Sequence, residues 1–186
     1  MAETKSRFWP LAQGSGTAVR TAGVLAAGAA ALWVGWRHIL TSLFAVLSLA
    51  VLLFLLYFLR DPERRTPLGP GLFVAPADGR VVALEETHEP VFLRGRVTRI
   101  SIFMSLADVH VNRAPMAGQV AFATHRAGGF LPAYHRNAPD HNESHFLGLE
   151  DGETRIAVKQ VAGAFARRIE CWVSPGQRLA RGQRFG

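Results

Sequence analysis

The stretch "ILTSLFAVLSLAVLLFLLYFL", from Ile39 to Leu59, constrains this chain more than any other: 21 consecutive positions without a charge. At about 1.5 Å of rise per residue the run matches a hydrocarbon core of roughly 30 Å, so it predicts a membrane-spanning helix. A second apolar run, "TAGVLAAGAAALWVGW" from Thr21 to Trp36, precedes it, rich in small residues and carrying Trp33 and Trp36 at its end. Tryptophan favours the membrane interface, and a turn at Arg37-His38 would make the two runs a hairpin. A cleaved signal peptide over residues 1–38 is the competing reading. It lacks a clear small-x-small cleavage site, and a full-length span follows it directly.

Basic residues set the orientation. Lys5, Arg7 and Arg20 precede the first run, and Arg60, Arg64 and Arg65 follow the second, so a two-pass hairpin places both flanks on the cytoplasmic side of a cell membrane. From Arg60 onward 17 Lys and Arg face 13 Asp and Glu, a modest excess carried by arginine. Beside an anchor, this favours an anionic lipid surface as partner. No basic motif with interleaved aromatics and no zinc-finger spacing points to nucleic acid. The single cysteine, Cys171, excludes an internal disulfide and reads as a buried thiol.

Residues 1–59 thus form the anchor, and the proline-rich "RDPERRTPLGPG" begins a linker spanning 60–70. A β-rich domain follows over 71–186. Its short β-type runs are "GRVVAL", "PVFLRGRVTRISIFM" with a hairpin at Arg94-Gly95, "GQVAFATH", "TRIAVKQVAG" and "FARRIECWV". They predict a mainly β fold, a small sandwich or barrel. Gly128 to Gly152, dense in Gly, Pro, Asn and His, reads as a long irregular loop.

Three clusters carry candidate chemistry. Asp78 in "APADGR" is either a turn residue or a site carboxylate. In "SLADVHVNRAP" an extended chain puts Asp108, His110 and Asn112 on one face and Arg113 on the other. Three polar groups aligned along an apolar strand suit a site better than a core, a salt-bridged edge being the alternative. In "AGAFARRIECW" alternation turns one of Arg167 and Arg168 inward and the other to solvent. His141 and His145 have metal-type spacing, but Asn142 stands where a zinc peptidase needs glutamate, so a polar loop is preferred and no metal is expected. The two lysines, Lys5 and Lys159, lie in no phosphate-cradling context, which disfavours pyridoxal chemistry.

In order, "FLRDPERRTP", "APADGRV", "FMSLADVHVNRAPMAGQV", "NES", "VAGAFARRI" and "RGQRFG" resemble the phosphatidylserine decarboxylase family, closest to its short, archaeal-type branch, from about Phe58 to Gly186. The resemblance implies a proenzyme that cuts itself between a glycine, here Gly186, and a following serine. That serine becomes a pyruvoyl group at the start of an α subunit, and the present chain is the β subunit. It further implies that His110, oriented by Asp78, is the base of self-cleavage and the candidate proton donor in decarboxylation to phosphatidylethanolamine. Asn112, Arg113 and Arg168 are weaker candidates for contacts with the phospholipid. Where other branches carry a second histidine this chain has Arg113, and where many carry arginine it has Ser144. Whether α–β units pair into dimers stays open.

Two other functions compete. A membrane-tethered lipoyl-like carrier needs an exposed lysine in a hairpin turn, whereas Lys159 lies inside a β run. A membrane-anchored metallopeptidase built on the histidines fails on their spacing.

Overall fold

Apolar composition yields two helices, α1 (Gly16–Gly35) and α2 (Ile39–Phe58), in the computed structural model, which describes residues 11–186. Helix α1 starts five positions before the run that predicted it, so both helices reach 20 residues, long and apolar enough to cross a membrane. Ala22 and Ala29, seven positions apart on α1, are buried, and small residues of this kind let helix backbones approach closely. No residue of α2 is buried, and Leu40, Val46 and Leu47 are largely bare, a surface suited to lipid.

The turn falls at the predicted place: His38 Nδ1 accepts the Leu40 N–H at 3.3 Å, and Thr41 Oγ1 accepts the His38 N–H at 3.2 Å. Lys5 and Arg7, part of the orientation argument, lie outside the described residues. The helical unit runs through Glu63 and also takes in Leu106–His110. Tyr57 and Arg60 both donate to the Ala107 carbonyl oxygen, at 3.2 and 2.6 Å.

The second unit comprises Arg64–Ser105 and Val111–Gly186 and is mainly β, as expected. Strands β1 (Arg80–Glu89) and β2 (Gly95–Phe103) form an antiparallel pair. A four-stranded antiparallel sheet runs in the order β5-β4-β3-β6, from β3 (Gly118–Arg126), β4 (Ser144–Asp151), β5 (Thr154–Val161) and β6 (Arg178–Leu179).

Several expectations are corrected. "PVFL" is a turn: the Glu89 carboxylate accepts the N–H groups of Val91, Phe92 and Leu93 at 2.8, 2.8 and 2.6 Å, curling the backbone before β2. Phe92 is buried against Gly148, where a Cβ would lie 2.8 Å from its ring. Arg155 stacks 4.3 Å over that ring.

The supposed loop from Gly128 to Gly152 contains a short helix, α3 (Ala138–His141), and the whole of β4, flanked by partners on both sides. "FARRIECWV" is no strand. Both Arg167 and Arg168 are exposed, with Arg167 4.6 Å from the Phe130 ring and Arg168 3.4 Å from Glu170. "DVHVNRAP" is also irregular: Val109, Val111 and Asn112 are buried while Asp108 and His110 are half-buried, so no three-residue polar face forms. Cys171 is half-buried rather than enclosed.

The core of this unit joins Ala114, Met116, Val120, Leu147, Leu149, Leu179 and Phe185. Leu147 is fully buried in the middle of β4. Leu147→Ala should therefore cost about 2–5 kcal/mol of stability, read as a lowered denaturant midpoint; a loss below about 1 kcal/mol would place the core elsewhere.

Candidate active site

Two irregular segments of the β unit bind each other through their backbones. Asn112 N–H donates to the Gly186 carbonyl oxygen at 2.6 Å, Phe185 N–H to Asn112 O at 3.0 Å, Ala114 N–H to Gln183 O at 2.8 Å, and Gly182 N–H to Ala114 O at 2.8 Å. On the other side, Trp172 N–H donates to Phe185 O at 2.8 Å. Residues 182–186 are thereby held between two neighbours, with the Phe185 ring wholly buried. Such pairing satisfies backbone groups that burial would otherwise leave without water.

Gly186 sits where a side chain has no room. A Cβ there would stand 2.5 Å from Glu170 O and 3.0 Å from Gln160 Nε2. Asn112, 6% exposed, has its side chain fully engaged: Nδ2 donates to Pro76 O at 3.1 Å, and Oδ1 accepts from Gln160 Nε2 at 2.6 Å. The Arg113 backbone N–H donates to Pro76 O at 2.9 Å and its guanidinium to Gly182 O at 3.2 Å. Asn112 and Arg113 therefore fasten the segment carrying Asp78 to the segment carrying Gly186.

Asp78 forms an ion pair with Arg64, both side chains partly exposed, at 40% and 47%. The next residue, Gly79, has φ +141° and its α-carbon lies against the Phe103 carbonyl, so the Asp-Gly pair is a turn that only glycine completes without strain. The turn reading of Asp78 is the one the geometry bears out.

His110 belongs to the helical unit. Its Nδ1 lies 3.0 Å from Asp108 O, and its ring lies 4.4 Å from that of Phe58. A carbonyl can only accept, so the neutral ring carries its proton on Nδ1 and keeps the Nε2 lone pair free for proton transfer. Burial lowers the His110 pKa below the usual 6.5; the Asp108 carbonyl and carboxylate oppose this, and the Arg60 charge adds to it. The net effect favours the neutral, basic imidazole.

The "NES" segment closes the loop beside β4. Asn142, fully buried, exchanges hydrogen bonds with Leu131 N and O and donates to Ala162 O, all at 2.8 Å. Glu143 accepts from Ile169 N–H at 3.2 Å and pairs with His125 at 3.2 Å, a contact that holds its carboxyl below the usual range. Lys159, on β5 beside Asp140, has its pKa lowered by burial. Among the described residues no three His, Cys, Asp or Glu side chains gather as a metal site requires. Gln160 and Glu170, which border Gly186, and Trp172, which pairs with Phe185, were not singled out by the sequence. The one available signal was Gln160, an amide interrupting the β run "TRIAVKQV".

Residues 51–186 match the family model described as phosphatidylserine decarboxylase. The chain is similar to the phosphatidylserine decarboxylase proenzyme of Symbiobacterium thermophilum, 48% identical over 157 residues, which cover 84% of this chain and 70% of that protein. It is also similar to the proenzymes of Salinibacter ruber, at 47% over 84% and 70% of the two chains, and Chlorobium phaeobacteroides, at 40% over 93% and 80%.

The crowding at Gly186 is directly testable. Gly186→Ala should push the backbone off Asn112 and speed amide hydrogen exchange at Asn112 and Trp172 by about tenfold or more, each tenfold corresponding to roughly 1.4 kcal/mol. Unchanged exchange at both amides would mean that the pocket has room for a methyl group.

Proposed function

The chain belongs to the phosphatidylserine decarboxylase family, and from that premise we propose that it is the β subunit of a membrane-anchored, pyruvoyl-dependent enzyme whose self-cleavage takes place at the Gly186 carbonyl. The observation that carries this reading is the hold on Gly186: its carbonyl oxygen 2.6 Å from the Asn112 N–H, its α-carbon in a cradle a Cβ would overfill. In the proenzyme the next residue is a serine that becomes the pyruvoyl group of the α subunit.

Self-cleavage begins when that serine's hydroxyl oxygen attacks the Gly186 carbonyl carbon. Negative charge then grows on the carbonyl oxygen, where the Asn112 N–H is already directed, the arrangement of an oxyanion hole. His110 is the base that takes the hydroxyl proton through Nε2, and Asp78 is its orienting carboxylate, an assignment resting on the family resemblance that requires Asp78 to take the place of the Asp108 carbonyl oxygen at Nδ1. That His110 is followed at once in the chain by Val111 and Asn112 supports a shared role for this segment.

A crowded glycine beside the Gln160 amide fits a small carbonyl formed next to this position. When present, the pyruvoyl carbonyl supplies the electron sink that decarboxylation of the serine headgroup needs. His110 then delivers a proton to the headgroup α-carbon, giving phosphatidylethanolamine. Of the arginines, exposed Arg168 is free to reorient toward a lipid phosphate from Glu170; Arg113 is the second candidate, and Asn112, the third, acts by holding Gly186.

Residues 1–59 act as the anchor, 60–70 as the linker and 71–186 as the catalytic domain. That domain faces the cytoplasm, and the α subunit, the phospholipid and the membrane are its partners.

Intact mass spectrometry of the full proenzyme should find two chains, the larger ending at Gly186 and the smaller blocked by a pyruvoyl group. A single chain with an intact Gly186–Ser bond would refute the reading. His110→Ala should leave the proenzyme uncut, slowed by at least about 100-fold. Because the His110 pKa is lowered, the fall in self-cleavage rate on acidification, as the imidazole becomes protonated, should have its midpoint below pH 6.5. A midpoint at or above 6.5 would contradict the burial argument.

A further inference from the structure

Gln160, half-buried on β5, is the side-chain amide nearest the Gly186 α-carbon, and the family resemblance assigns it no role. Its Nε2 donates to Asn112 Oδ1 at 2.6 Å and would lie 3.0 Å from a Cβ on Gly186, while its Oε1 would lie 3.6 Å from the same point. The carboxamide is thus wedged between the Asn112 side chain and the Gly186 backbone. Asn112 cannot turn its amide over to escape this contact, because Nδ2 is committed to Pro76 O. Gln160 is fixed in turn by the sheet: it sits on β5 in register with buried His145 of β4, the strand between β5 and β3.

Gln160 Oε1 is buried away from water without a well-aligned hydrogen bond, the His145 side chain of β4 being a polar group that interacts with the same amide. A residue serving only to fill space would avoid that cost, since methionine has the same length and no polar oxygen. The retained amide is explained by what its N–H does: it holds Asn112 in place, and the Asn112 backbone N–H faces the oxygen on which charge develops.

We propose that Gln160 is a positioning residue for self-cleavage, locking Asn112 so that its N–H stays aimed at the Gly186 carbonyl oxygen through the reaction. The inference rests on Gly186 carrying the scissile carbonyl. In that step the serine oxygen bonds to the Gly186 carbonyl carbon while the hydroxyl proton moves to the base. The tetrahedral oxyanion collapses as the carbon–nitrogen bond breaks and the proton passes from the base to the serine amine, leaving the Gly186 acyl group on the serine oxygen as an ester. Loss of the serine α-proton to a base then breaks the serine Cβ–O bond, releasing Gly186 as a carboxylate and leaving dehydroalanine, which water hydrolyses to the pyruvoyl group and ammonia. Water is the one co-reactant, and no oxidant or reductant enters. Gln160 touches no proton in this sequence; it sets the geometry in which the oxyanion is met.

The test uses the full-length proenzyme and follows the fraction cut after Gly186 with time by intact mass. Gln160→Met keeps the length and loses the donor, and its cleavage should be slower by about 10- to 100-fold, the range expected when a preorganised oxyanion contact is loosened. Gln160→Glu separates positioning from mere support. A protonated carboxyl can donate to Asn112 Oδ1 as the amide does, whereas a carboxylate repels it. The ratio of Gln160→Glu to wild-type cleavage rates should therefore rise as the pH falls toward the carboxyl range, dividing out the titration of His110 common to both. This measurement remains decisive if the methionine variant fails to fold.

Wild-type rates in Gln160→Met, or a Gln160→Glu ratio flat across pH while the wild type cuts itself, would overturn the role of Gln160 and leave the wider reading standing. A wild-type proenzyme that never cuts after Gly186 would overturn both.

Discussion

The burial of Phe185 is the constraint on which the β unit's organisation depends. Its ring is fully enclosed among Ala114, Val120, Leu147, Leu149 and Leu179, residues drawn from four separate stretches of chain. Enclosing a phenylalanine contributes about 1.5–3 kcal/mol, and drawing the ring inward brings residues 182–186 alongside 112–114. The apolar term is non-directional and could not by itself aim a carbonyl. Backbone pairing supplies direction: with Phe185 bonded to Asn112 on one side and Trp172 on the other, the next residue, Gly186, has little freedom left.

Magnitudes separate the polar contacts that hold this region from those that decorate it. The Arg64–Asp78 pair is nearly half exposed, and ion pairs in that setting contribute about 0–1 kcal/mol. Asn112 is buried with both ends of its amide engaged, and leaving such a group without a partner costs about 1–3 kcal/mol. The rigid part of the site is therefore the Asn112–Gln160–Gly186 contact. Asp78, on a glycine turn with a water-exposed partner, is comparatively easy to re-pair.

How much of this was legible in the sequence depended on the kind of signal. The helices were visible because apolar length is a composition property. The turn before Gly95 was visible only in part: Arg94 does adopt φ +53°, but the hairpin joins β1 to β2 across Pro90–Arg94, because "PVFL" curls over the Glu89 carboxylate instead of forming a strand. Strand β4 escaped because its face pattern does not alternate: Ser144, His145, Leu147, Gly148 and Leu149 are buried in near succession, and Gly and Asn before it imitate a loop. "DVHVNRAP" and "FARRIECWV" have strand-like composition, but their hydrogen bonds go to the chain end through a few isolated pairings. Asn112 was expected to face a site because burying an unpartnered amide is costly; it is buried with partners, and Gln160 could be found as one of them only by folding β5 next to it. The roles of His110 and Asp78 came from family resemblance; local sequence offered no more than polar residues near an apolar run.

Tyr57 and Phe58 close α2, and both reach the short segment that ends in His110, one through a hydrogen bond to Ala107 and the other through ring contact. The imidazole is consequently indexed to the end of a 20-residue apolar helix. On the proposed reading, with α2 across the bilayer and His110 as the base, this makes membrane thickness a coordinate of the chemistry: a thicker or thinner leaflet would move the end of that helix, and the imidazole with it, relative to a lipid headgroup.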